Sequence, residues 1–148
     1  MNIYSRYFED RGEIPSRYTC DGDSVNPELE IIEVPREAKS LALIVDDPDA
    51  PGGRWVHWTM WNIDPETAYI KEADMPPGAV EGETSAKNVG YHGPCPPVGT
   101  HRYYFKLYAL DSMLALPHGT PFPELERELG EHTVEYAELM GQYTRSGA

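Results

Sequence analysis

The chain has 148 residues, 40% of them hydrophobic, and its 25 acidic against 12 basic side chains give a formal net charge of −13 at pH 7. That length suits one domain around a single core, taken as residues 1–148, and the composition is globular rather than disordered. So negative a field repels nucleic acid and anionic membrane surfaces, and no apolar run approaches the roughly 20 residues that insert stably into a bilayer.

The 13 glycines and 14 prolines imply many turns and short strands. Residues 1–27 are broken by Gly12, Pro15, Gly22 and Pro27 and read as an extended entry segment and a loop. Their opening, Met1 to Tyr7, has no apolar signal-peptide core, so a cytoplasmic location is expected. A strand is expected over residues 29–34, closed by Pro35, and another over residues 39–45. The unbroken run Leu41-Ala42-Leu43-Ile44-Val45 implies burial on both faces.

The chain then turns acidic and stiff at Asp46-Asp47-Pro48-Asp49-Ala50-Pro51-Gly52-Gly53. An aromatic strand follows over residues 54–63, holding all three tryptophans and His57. Breakers crowd residues 64–99, which predicts long loops of the kind that carry function. Residues 101–110 are the clearest strand: His101, Tyr103, Phe105, Leu107 and Ala109 alternate with Arg102, Tyr104, Lys106, Tyr108 and Leu110. His101 falls on the inward side.

A helix is expected over residues 123–129, with Gly130 to end it, and a second over residues 133–143 burying Val134, Ala137 and Met140. Strands thus come first and helices last, with no βαβ alternation. The fold class is mainly β, antiparallel, with short helices at the C-terminal end.

For chemistry, a strand followed by Asp47-Pro48-Asp49 resembles the nucleophile loop of Mg²⁺-dependent phosphohydrolases. That chemistry sits on a parallel sheet, and no later lysine with a paired-aspartate loop appears. Asp47, His57 and His101 suit zinc or iron chemically, but no spacing pins them on one element, so no metal and no cofactor are assigned. His118 and His132 read as ordinary turn and helix-start residues. His57 and His101, near a carboxylate and the loop Gly90-Tyr91-His92-Gly93-Pro94, instead suggest a small anion pocket. The carboxylate would raise the histidine pKa values and keep the rings cationic.

Cys20 and Cys95 match neither a zinc knuckle nor a redox pair. Two reduced thiols are the default expectation for a cytoplasm, and a bridge between the two turns stays open.

Asp47-Pro48-Asp49-Ala50-Pro51, Trp55-Val56-His57-Trp58, Gly93-Pro94-Cys95-Pro96-Pro97 and Gly99-Thr100-His101-Arg102-Tyr103 occur in this order at suitable distances. Together they resemble the phosphatidylethanolamine-binding protein family, in its short prokaryotic branch related to the Raf kinase inhibitor proteins. The resemblance covers residues 18–143 and implies two antiparallel sheets around a pocket for phosphate-like anions. It places the pocket carboxylate at Asp47 with Asp49 in the same turn, the histidines at His57 and His101, the wall at Gly93 and Pro94, and Tyr103 beside them.

The loop Val25-Asn26-Pro27-Glu28-Leu29 departs from the family's usual S-P-P-L, and a C-terminal pocket helix has no counterpart. The expected function is binding of phosphate or a phosphomonoester headgroup, not catalysis. His57 and His101 would donate to the anion, Asp47 would orient them and the Gly93 backbone would add donors, so binding should weaken as pH rises. The alternative is a regulator of a kinase or protease through a protein partner, with the phosphohydrolase third. A homodimer stays open.

Overall fold

The structure, a computed structural model, describes residues 1–145, so the last three residues of the expected 1–148 domain lie outside the described residues. Its strands are β1 (Asn2–Tyr4), β2 (Leu29–Ile32), β3 (Ser40–Asp47), β4 (Trp55–Ile63), β5 (Tyr69–Ile70), β6 (Val80–Glu81), β7 (Thr100–Leu110) and β8 (Thr133–Thr144). One helix, α1 (Phe122–His132), precedes β8, and a single 3-10 turn covers Ser16–Tyr18. The strands form a small sheet, β1-β2-β5, and a large one, β6-β4-β3-β7-β8, with every pairing antiparallel.

β3 is buried along its whole length because it lies mid-sheet between two apolar layers. Leu41, Leu43 and Val45 face the layer shared with Ile3, Leu29, Ile31 and Ile70 of the small sheet. Ala42 and Ile44 face a second layer with Leu125 and Leu129 of α1. Strand alternation therefore sends Asp47 to the small-sheet side and Asp46 to the helix side.

Two expectations for the C-terminal part change. The helix runs through Gly130 to His132, and its end is capped by Thr133, whose Oγ1 donates to the Leu129 carbonyl at 2.6 Å. The second expected helix is the long strand β8, paired along β7 from Thr100↔Thr144 to Leu110↔Thr133. Val134 is 42% exposed, and the buried residues are Leu139, Gly141 and Tyr143, which alternate as a strand requires. β8 misleads because in its first half, on an edge, the apolar Val134 and Tyr136 that alternate with Thr133 and Glu135 face solvent, each 42% exposed.

Its second half is covered by residues 11–14, through Arg11 N–H to the Met140 carbonyl and a two-way pairing of Gln142 with Gly12 and Ile14. A side chain at Gly141 would sit 2.4 Å from Ile14 Cγ1, so only glycine lets this segment close.

The expectation of two reduced thiols also changes. Cys20 and Cys95 are disulfide-bonded across 75 residues of sequence, and Cys20 N–H donates to the Pro94 carbonyl beside the bridge. Cys20 lies in the loop between the paired strands β1 and β2, and Cys95 in the loop between β6 and β7. Closing so long a loop constrains the unfolded chain, so Cys20→Ser with Cys95→Ser is expected to lower stability by roughly 2–4 kcal/mol. Urea denaturation with and without reductant measures it; curves that do not separate would show that the bridge constrains nothing.

Candidate functional site

Asp47 ends β3 and divides its carboxylate between two tasks. Oδ1 accepts from the Asp49 N–H at 2.7 Å, capping the turn that reverses the chain into β4. Oδ2 accepts from Nδ1 of His101, on β7, at 2.6 Å in a buried contact. Gly52 and Gly53, with φ of 82° and 113°, finish the turn in the left-handed region that suits glycine.

His57 reaches the same side through a β-bulge. Val45 pairs with Trp58 and Asp46 with Val56, so His57 is an extra residue on β4 with no partner on β3. The bulge breaks the alternation between Val56, in the helix-side layer, and Trp58, in the small-sheet layer. Nδ1 of His57 donates to the His92 carbonyl at 2.6 Å, while the His92 N–H donates back to the His57 carbonyl at 3.0 Å. The His57 ring stacks on His92 at 5.9 Å and meets the edge of Tyr103 at 5.4 Å.

These side chains line a cavity of about 330 Å³ with Ala50, Pro51, Trp55, His92, Cys95, Pro96 and Pro97. His57 and His101 are 4% and 6% exposed. Tyr103 is 1% exposed and its hydroxyl is buried without a hydrogen-bond partner among the described residues. Burial, reinforced by the Asp47 charge, pushes the Tyr103 phenol well above its ordinary range, so it remains a proton donor.

The structure thus brings together Asp47, His57, His101 and Tyr103 as the sequence predicts, and places three other residues differently. Asp49 does not line the cavity. Its carboxylate takes Nε and a terminal nitrogen of Arg102 at 2.9 and 2.7 Å, along with the Arg102 N–H, and that pairing holds its pKa at about 2. Gly93 and Pro94 lie behind the wall, not on it. The Gly93 N–H is spent on Ser24 Oγ at 3.1 Å, and a Cβ at Gly93 would stand 2.6 Å from that oxygen. Gly93 is there to let two loops touch; His92 and the Cys95-Pro96-Pro97 segment form the wall itself. Sequence reasoning had marked this loop without singling out His92, the imidazole at its centre, or Trp55, Ala50 and Pro51 in motifs it had already quoted.

The expectation of a cationic His57 also needs correcting. Burial dominates at His57, with the His92 carbonyl and the Asp47 and Asp46 charges only partly opposing it, and lowers its pKa from 6.5 to about 4. His57 is a neutral ring at pH 7. Nor does the phosphohydrolase arrangement fit, since both Asp47 oxygens are engaged and Asp49 is paired. Asp47, His57 and His101 share a cavity but are not a group with all ligand atoms within 4.8 Å of one another; among the described residues that group is Glu128, Glu131 and His132.

The comparisons agree with this architecture. The family model described as phosphatidylethanolamine-binding protein matches residues 4–144. A protein named only as a UPF0098 protein from Methanothermobacter thermautotrophicus is 47% identical over 98% of this chain and 99% of its own. The crystal structure of a phosphatidylethanolamine-binding protein homologue from Chlamydia trachomatis superposes with a TM-score of 0.94 at 40% identity, covering 98% of this chain and 97% of that one. Escherichia coli YbcL, described as a member of the mammalian family, gives 0.92 at 28% identity, covering 98% of each chain.

The depressed His57 pKa sets a pH dependence. The unfolded chain protonates this ring near pH 6.5, whereas the folded chain refuses the proton until about pH 4. The contribution is therefore full above 6.5 and lost as pH falls towards 4. Over that interval the wild type is expected to lose up to about 3 kcal/mol more stability than His57→Gln, which has nothing to protonate there. Urea denaturation at the two ends of the interval reads the difference, and parallel losses would contradict it.

Proposed function

The chain belongs to the phosphatidylethanolamine-binding protein family, and from that premise we propose that its cavity holds a small phosphate-like anion, free or as a phosphorylated headgroup, in a binding or regulatory role rather than a catalytic one. The observation that carries this reading is the Tyr103 hydroxyl, buried in the cavity wall close to Asp47 and, among the described residues, with no well-formed hydrogen bond of its own. A donor left unsatisfied in this way costs about 1–3 kcal/mol, and a ligand oxygen would relieve it. His101, oriented by Asp47, adds a titratable ring beside it. The prolines and the two stitched loops keep the wall in place without a ligand, which spares the ordering entropy of binding.

A second reading has one observation in its favour. The exposed apolar residues Trp55 and Val98, at 38% and 77%, stand beside wall residues and suit an anion carried on a larger partner. A kinase or protease bearing a phosphorylated or acidic segment would be such a partner. Its capture from a lysate should then be lost on adding inorganic phosphate.

Tyr103→Phe separates function from fold. The variant is expected to be as stable as the wild type or about 1 kcal/mol more stable, because it loses an unsatisfied hydroxyl, yet to bind phosphate roughly tenfold or more weakly. Side-chain NMR titration with phosphate and with phosphoethanolamine, in chelator, should move His57, His92 and His101 saturably and leave His118 and His132 unmoved. Shifts absent, or equal over all five histidines, would overturn the reading.

A further inference from the structure

Two of the three histidines that line the cavity, His57 and His101, have Nδ1 committed to an acceptor. For His57 it is the His92 carbonyl and for His101 the Asp47 carboxylate, each at 2.6 Å. Carbonyls and carboxylates only accept, so Nδ1 carries a proton in each ring, and on the neutral His57 ring Nε2 is a bare lone pair. Nε2 is then the ring nitrogen left for a ligand. Among the described residues no lysine or arginine lines the cavity, and its one acidic lining residue is Asp47.

The surrounding charges do not change this. On β3, Asp46 is taken by Arg54 at 2.6 Å and Lys106 at 2.9 Å on the helix side. Asp49 is taken by Arg102 of β7. From the 88–99 loop, His92 opposes a second proton on His57; from β7, Tyr103 faces it as a protonated phenol and His101 completes the ring of neighbours. An anion without protons would therefore set an acceptor against the Nε2 lone pair of His57, with the Asp47 carboxylate in the same lining.

We propose that the pocket takes up a phosphomonoester together with a proton, so that a P–OH donates to Nε2 of His57 and anions of similar shape that carry no proton are discriminated against. This rests on the phosphate-like ligand proposed above. The proton balance is simple. A phosphomonoester has its second pKa at about 6 and is mostly a dianion at neutral pH. Binding as the hydrogen phosphate draws one proton from solvent onto a phosphate oxygen, and no other bond forms or breaks. Sulfate near neutral pH has no such proton, and a phosphodiester monoanion has none either. The site thus favours a free or protein-borne phosphomonoester over the diester phosphate of an intact phospholipid headgroup.

The test is isothermal titration calorimetry of the full chain in buffers of different ionisation enthalpy. The ligands are phosphoethanolamine, a monoester; glycerophosphoethanolamine, the same headgroup as a diester; inorganic phosphate; and sulfate. Above the ligand's pKa the expected uptake is about one proton per monoester bound, with affinity falling about tenfold per pH unit. Monoester over diester, and phosphate over sulfate, should each differ by about tenfold or more near neutral pH. His57→Gln, whose amide can donate, should accept sulfate and phosphate about equally and show no proton uptake. Equal binding of all four ligands to the wild type without proton uptake would overturn this inference and leave the anion reading standing. No saturable binding of any of them to the folded wild type would overturn the anion reading, and this inference with it.

Discussion

The β-bulge that makes His57 an extra residue between the Val45–Trp58 and Asp46–Val56 pairings converts the inner face of the large sheet into a pocket wall. In a regular strand His57 would lie on the face opposite Trp58, among the residues beneath α1. The bulge sets it beside Tyr103 and under the His92 carbonyl instead. The adjoining turn is held by the same acidic segment, since Asp47 caps it with one oxygen and orients His101 with the other. One short stretch of chain therefore makes the reversal and the site together, and a change that relaxes either will disturb both.

Alternation along β3 also sorts charge. Asp46 and Asp47 are adjacent and both buried, yet they face opposite layers. On the helix side Asp46 meets Arg54 and Lys106, and Arg54 continues to Glu126 on α1. On the other side Asp47 meets only neutral or titratable partners. The cations nearest the site are thereby spent on fixing the sheet, with Arg102 tied to Asp49. A chain with net charge −13 thus has a proposed anion pocket with no lysine or arginine in its lining among the described residues.

How much of this was legible in the sequence follows from which signals are local. The continuous run in β3 and the strict alternation in β7 depend on burial alone, and both strands appear where the pattern puts them. The pocket members Asp47, His57, His101 and Tyr103 were reachable because each belongs to a compact motif. β8 was not, because half of it is an open edge and its burial is decided by residues 11–14, more than a hundred positions away. Gly93 looked like a ligand wall because a glycine needed for loop–loop contact and one needed for ligand contact read alike. The charge of His57 was misjudged because sequence shows the neighbouring carboxylates but not the depth of burial, and burial is the larger effect. The pairing of Cys20 with Cys95 likewise depends on two distant loops meeting.

These corrections point the same way. Had both histidines been held cationic, the cavity would attract any small anion and select mainly on charge. With both rings tied at Nδ1 to acceptors and His57 neutral, its Nε2 lone pair shifts selection from charge towards where the protons are. Such a site needs its acceptors held still, because a lone pair that could rotate away would lose its discrimination. The stitching of the 88–99 loop to residues 18–24, through the disulfide, the Gly93–Ser24 contact and the Tyr91 hydroxyl on the Tyr18 carbonyl at 2.7 Å, supplies that rigidity. The loop that reads as punctuation in the sequence is thus what keeps the His92 carbonyl, and with it the His57 tautomer, in place.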